Sequence, residues 1–247
     1  MQPGVLAFSR REGVAAPTDV LASLAECGVT DPVLHQGTGL LVATWGGLDL
    51  APDGSLLLSR GPRRREHDLG QDAVSAMLGR GDAAALAEVL PPFAAFRSTG
   101  QDEAVAVTDA LGFRHLYHAQ GPGWAAVSTS ARLLGVMGDR DVDREALSLQ
   151  ALLGWQVGQW TLFEGVSKLG PGEVVRLRSG RLTVEDGRPA PPPLAELDEA
   201  VDAAAGVLRQ HLTAYVTDHP DATLQLTGGQ DSRILLSAIP RELRRGL

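Results

Sequence analysis

Asparagine is absent from the 247 residues, lysine occurs once (Lys168), cysteine once (Cys27), and aromatic residues make up only 4%. A single cysteine excludes an internal disulfide framework. No apolar run approaches the roughly 20 residues that a membrane-crossing helix needs. The opening stretch MQPGVLAFSRREG also lacks the long apolar centre of a secretory signal. Positive charge is short as well: 22 Lys and Arg stand against 30 Asp and Glu, a formal charge of -8. That balance argues against a surface built to hold nucleic acid. The one concentrated basic run, RGPRRRE at 60–66, is flanked by Glu66 and Asp68 and reads as a solvated loop. The expectation is a cytoplasmic protein with neither a membrane nor a nucleic-acid partner. What is present, 44% hydrophobic and 21% charged residues, is the composition of an ordinary globular chain. It is long enough for one large domain or two small ones.

Up to about residue 187, short apolar strands alternate with turn signals and a few helices, a mixed α and β pattern. Residues 39–45, 55–60, 103–110, 123–129 and 173–186 read as strands, the last as a hairpin turning at Ser179 and Gly180. Residues 17–28, 72–90 and 143–155 read as helices, and Cys27, ending the first, reads as a small buried hydrophobe. Trp45, Trp124, Trp155 and Trp160 are expected as core fillers. His115 and His118 have a metal-compatible spacing, but they lie in a strand turn without a carboxylate cluster, so no metal is expected there. Prolines at 189, 191, 192 and 193 then stop both helix and sheet. Beyond them Leu194, Leu197, Val201, Ala204, Leu208, Leu212 and Tyr215 recur at three- and four-residue steps. This predicts a helix of about six turns with one apolar face. A short strand, ATLQL at 222–226, a glycine turn, and a helix that Pro240 halts complete the pattern. Helix, strand, loop and helix together read as the opening unit of a parallel α/β sheet. The expected organisation is a first domain over 1–188, a Pro-rich linker over 189–196 and a second piece over 197–247.

The turn between that strand and helix, TGGQDSR, has polar chemistry out of proportion to its length. Without Cβ atoms, Gly228 and Gly229 can adopt left-handed angles and let a ligand approach the backbone. Their amides, with those opening the helix, form an anion nest. Thr227 and Ser232 add hydroxyls. Asp231 would repel a bare phosphate unless a divalent cation lay between them, so the set suits a magnesium-bound pyrophosphate. It is not the phosphate loop of kinase-like ATPases, which needs a lysine. Taken alone, a Gly-Gly pair is equally well a plain tight turn.

The combination Thr-Gly-Gly-x-Asp-Ser, after an apolar strand and opening an apolar helix, resembles the Ser-Gly-Gly-x-Asp-Ser loop of enzymes that cleave ATP to AMP and pyrophosphate. Three earlier stretches select among them. TDALGFRHLYH at 108–118 looks like the Arg-Asp-Pro-Leu-Gly-x-x-Pro-Leu-Tyr-Tyr segment of the asparagine synthetase family. STSARLLGVMG at 128–138 is similar to that family's Ser-Ser-Glu-x-Lys-Ala-Leu stretch, and WTLFEGVSKLGPGEVVRL at 160–177 to its Thr-Leu-Phe-Glu-Gly-x-x-x-Leu-x-Pro-Gly signature. The family includes β-lactam synthetases and lasso-peptide macrolactam synthetases, and the resemblance runs in order from about residue 86 to the end.

The resemblance implies an α+β fold. Its first domain would be a four-layer αββα sandwich of the N-terminal-nucleophile amidotransferase type. The start of an α/β ATP-pyrophosphatase (adenine nucleotide alpha hydrolase-like) domain would follow. It implies ATP and Mg2+ as cofactors. Thr227, Gly228, Gly229 and Ser232 would bind pyrophosphate, Leu226 would touch the nucleotide, and Asp231 would bind the metal. Arg233 would pair with phosphate or form a salt bridge on the helix surface. In such amidotransferases an N-terminal cysteine hydrolyses glutamine with help from its own amine. Here Gln2 holds that position, and a carboxamide is no nucleophile. The family's Asn-Gly-Glu motif is excluded by the lack of any Asn. No catalytic residue is therefore expected in the first domain. Relatives lacking the cysteine join an amine to an adenylated small-molecule or peptide carboxylate. Because the family's synthetase domain continues well past this loop, 197–247 reads as its N-terminal part. Such a piece would be loosely packed unless it docks on the first domain, a complementing chain or a homodimer partner. A non-catalytic scaffold carrying a remnant loop is the alternative.

Overall fold

The structure is a computed structural model that describes residues 2–14, 19–59, 61–64, 66–100, 102–187, 193 and 195–246. In chain order its elements are β1 (Gly4–Arg10), α1 (Val20–Glu26), β2 (Val33–Gln36), β3 (Leu40–Trp45), β4 (Ser55–Leu58), β5 (Arg63–Arg64), β6 (His67–Asp68), α2 (Gln71–Arg80) and α3 (Ala83–Ala87). There follow β7 (Ala94–Ser98), β8 (Glu103–Thr108), β9 (Tyr117–Gly121), β10 (Trp124–Ser128), α4 (Ala131–Met137), α5 (Arg144–Leu153), β11 (Val166–Lys168), β12 (Glu173–Arg178), β13 (Arg181–Asp186), α6 (Leu197–Asp218) and α7 (Gln230–Ala238). They form two compact units: Met1–Pro62 with Leu69–Pro189, and Arg63–Asp68 with Ala190–Leu247.

The first unit is a mixed α+β body of antiparallel sheets. One sheet has six strands in the order β11-β9-β10-β1-β3-β2, the other five in the order β13-β12-β8-β7-β4. The pleat sends alternate residues of each strand to opposite faces. Val5 and Ala7 of β1 thus join Val127, Phe96, Ala106 and Val175 in an apolar layer between the sheets. Leu6 and Phe8 point the other way, into a cluster with Leu24 of α1 and with Leu133, Leu134 and Met137 of α4. Across the second sheet, Val105 and Val107 meet Val74, Met77 and Leu78 of α2 and Leu86 of α3. The succession is helices, sheet, sheet, helices. Each fully buried Leu, Val or Phe in these layers contributes roughly 1.5–3 kcal/mol. Local signals fix the helix ends: Asp19, Asp82, Ser130 and Asp143 accept first-turn amides of α1, α3, α4 and α5.

Several expectations need correction here. The helix read over 72–90 is two helices, because Gly81 takes left-handed angles and ends α2. β1, β7 and α4 carry no alternating or amphipathic signature, since they are largely buried and read as short apolar runs, and β9, YHAQG, is too short and polar to give one. Trp45 and Trp124 are buried at 3% and 4%, but Trp155 and Trp160 are 66% and 46% exposed and fill no core. The basic run is not a solvated loop. Among its described residues, 61–64 and 66, Arg63 and Arg64 form β5, paired with β6, and Arg63 is buried.

The second unit has no sheet core. α6 runs for 22 residues without burying one, and its contacts include α7. Residues 222–226 form no ladder, so the expected strand and the parallel sheet it would open are not seen among the described residues. A strand exists only through a neighbour's hydrogen bonds, and an apolar run supplies none by itself. Most of the Pro-rich linker, 188–192 and residue 194, lies outside the described residues. Among the described residues, no helix is long and apolar enough to cross a membrane.

Candidate functional site

The glycine turn lies where the chain enters α7. The loop closes on itself through two hydroxyls. Ser232, buried at 7%, accepts the Thr227 amide at its Oγ (3.1 Å), and this Oγ lies 3.2 Å from Thr227 Oγ1 and 3.4 Å from the Thr227 carbonyl. The Gly229 amide donates to Thr227 Oγ1 at 3.2 Å. Arg233 folds back over the turn, its Nε donating to the Gly229 carbonyl at 3.1 Å and its Nη2 to the Gly228 carbonyl at 3.4 Å. Its guanidinium straps the two glycine carbonyls.

Gly229 is the N-cap of α7, with φ -72° and ψ 162°, and no side chain caps the helix. The first-turn amides therefore keep the partial positive charge of a helix N-terminus. Asp231 lies in that first turn, exposed. Neither Gly228 nor Gly229 has a positive φ, so the left-handed angles open to them are not used here. The missing side chain at Gly228 leaves space, since a Cβ built there meets nothing within 4 Å, whereas one at Gly229 would stand 3.2 Å from Thr227 Oγ1. Leu226 is 58% exposed, on chain that joins no strand ladder among the described residues. Thr227, Gly228, Gly229 and Ser232 thus share one hydrogen-bonded turn, Asp231 stands beside it and Leu226 precedes it. Chemically, the set offers uncapped amides, one carboxylate and open backbone.

At the head of β1 the geometry is closed. The Gln2 carbonyl accepts from Trp45 Nε1 at 2.8 Å, and the Gln2 side chain is exposed. A side chain at Gly4 would run into the Thr129 hydroxyl and the Trp45 ring. Thr129 Oγ1 takes the Val5 amide at 3.1 Å, and Ser128 donates to the Val5 carbonyl at 2.9 Å. Trp45, Ser128 and Thr129 are grips on this strand end that sequence reasoning missed. Only the register of β1 against β3 and β10 brings them there.

Two further places bear on chemistry. Asp109, fully buried, accepts amides of Phe93, Leu111, Phe113 and Arg114 at 2.9–3.2 Å, which fixes the turn of the 108–118 segment. His118 is held below the ordinary histidine range chiefly by burial, with Glu173 opposing the shift. His115 is lowered by burial and by Lys168, while burial raises Tyr117, whose hydroxyl lies 3.4 Å from His115 Nδ1. Among the described residues no three His, Cys, Asp or Glu side chains are grouped to hold a metal. In the first unit a cavity of about 390 Å³ lies between α1 and the end of α4, lined in part by Asp19, Glu26, Asp139 and Arg140.

No protein-family model and no curated protein matches the sequence. Among solved structures, the chain is weakly similar to the glutamine phosphoribosylpyrophosphate amidotransferase from B. subtilis complexed with ADP and GMP. That match has 12% identity, covers 76% of this chain and 50% of the other, and has a TM-score of 0.46. A second, described as the allosteric regulatory enzyme of purine biosynthesis, has 12% identity, 76% and 49% coverage and a TM-score of 0.45. The chain spans about half the length of these structures.

Proposed function

We propose that the chain is the N-terminal part of an ATP-dependent amide-forming ligase resembling asparagine synthetase, one that activates a carboxylate with release of pyrophosphate and has no working glutaminase. The observation that carries this reading is the turn itself: an uncapped helix N-terminus beside two glycines, with open space at Gly228, two hydroxyls, and a carboxylate in the helix's first turn. These residues fit the polyphosphate of ATP with Mg2+. The amides of α7 and of Gly228 would hold phosphate oxygens, and Asp231 would hold the cation. When bound, the magnesium nucleotide supplies the activating group and a stabilised pyrophosphate leaving group. The chain's own contribution is to bind and orient. Thr227 and Ser232 keep the turn's shape, and Arg233 is placed to exchange glycine carbonyls for phosphate oxygens.

Gln2 at the head of β1 supports the loss of the glutaminase, because the position offers no nucleophile. The acyl substrate would be a small-molecule or peptide carboxylate, and a complementing chain or a second copy would be the partner. A non-catalytic scaffold is the second reading, favoured by the unpaired chain over 222–226. Amide exchange of the full chain with and without Mg2+ and pyrophosphate separates the two. The ligase reading expects residues 228–232 to become protected and Asp231→Asn to weaken binding on the order of tenfold, about 1.4 kcal/mol. Unchanged exchange favours the scaffold. Glutamate release from glutamine would overturn the loss of the glutaminase.

A further inference from the structure

Among the described residues of the second unit one charged side chain is deeply buried, at a position 155 residues from the carboxylate that pairs with it. Arg63 is only 5% exposed. Its Nη1 donates to Asp68 and lies 3.2 Å from His219 Nε2; its Nη2 donates to the Glu66 carbonyl and, at 2.9 Å, to Asp218 Oδ2. The guanidinium carbon stands 5.3 Å from the centre of the Tyr215 ring, and that ring is 4.6 Å from the ring of His219. Every group on the far side, Tyr215, Asp218 and His219, belongs to the last turn or the C-cap of α6.

This matters because α6 is only partly covered. None of its 22 residues is buried. A solvated helix of that length is marginal, and its ends fray first. A planar guanidinium engaging two carboxylates, a carbonyl and an aromatic face is the contact that ordinary helix packing does not supply here. We propose that the 63–68 hairpin is a strap that Arg63 fastens to the C-terminal end of α6. Order in the last two turns of α6, and in the chain running on to the glycine turn, then depends on a hairpin far earlier in the sequence. The strap is independent of what the turn binds.

Hydrogen exchange by mass spectrometry on the full chain tests it. In Arg63→Met, which keeps the length of the side chain, amides of 212–222 should exchange on the order of tenfold faster or more, while β1, β3 and β10 exchange as in the parent. Asp218→Asn should loosen the same segment less. If 212–222 exchange at the parent rate in Arg63→Met, the strap is refuted. If Arg63→Met also loosens the sheets, Asp218→Asn decides: local loosening supports the strap, and the parent rate overturns it.

Discussion

The first unit spaces its apolar residues for three closed layers, and each layer has an opposite face to fill it. The second has the same kind of spacing along α6, yet Leu197, Val201 and Tyr215 stay 76%, 56% and 38% exposed. The difference lies in partners. A strand or helix stripe gains its burial energy only where another element covers it. In the first unit, two sheets and four helices cover one another; in the second, two helices share a small contact and an arginine anchors one end. The two units handle glycine differently too. Gly180 has φ +72°, and a Cβ there would run into the Gly123 carbonyl, so packing demands glycine. Gly228 faces open space with no positive φ, so the resting fold does not demand it.

The sharpest way to break this contrast is a pair of truncations. Phe96→Ala, in the layer between the sheets, should cost about 3–5 kcal/mol. Val201→Ala on α6 should stay within about 0.5 kcal/mol. Chemical denaturation of both variants measures the gap, and equal costs would erase the distinction. The glycines come next. Gly180→Ala should destabilise by roughly 1–3 kcal/mol, whereas Gly228→Ala should change stability by less than about 1 kcal/mol in either direction. Thermal melts compare them, and a large loss at Gly228 would mean that the turn is packed rather than open.

Two smaller effects concern pH in the first unit. His118 has its protonation disfavoured by burial, so the native state takes up the proton less readily than the unfolded chain. Its contribution is complete above the unfolded value of 6.5 and is lost as pH falls below it. His118→Gln should flatten that decline when stability is followed against pH. Asp53 is lowered from 3.8 to about 2 by hydrogen bonds from the Ser55 and Ser75 side chains. Its contribution is present above 3.8 and is lost as pH falls through about 2. Being exposed, it should give the smallest effect of the set, visible as a shallower acid limb in Asp53→Asn.

Local chemistry was the legible part of this protein. The Ser179–Gly180 turn is a two-residue hairpin joining β12 to β13, and the three- and four-residue steps beyond the prolines do form α6. The candidate site was legible as a set because its residues are contiguous. Its internal wiring was not, since Thr227, Ser232 and Arg233 could have pointed outward and instead bond the turn. Nor could the spacing show that 222–226 lacks a partner, that Trp155 and Trp160 are exposed, or that one arginine of a basic run is buried.

The sequence by itself determined the short-range outcomes: where helices are capped and stopped, where the chain turns, and which residues meet around the glycine pair. These depend on backbone geometry and hydrogen bonds a few residues long. The tertiary structure alone decided that β1 lies inside a sheet, that Trp45 grips the chain at Gln2, and that Arg63 meets Asp218. Those outcomes join positions 43 to 155 residues apart. Burial and ion pairing at that range are set by which surfaces come together, and a local pattern does not name its partner.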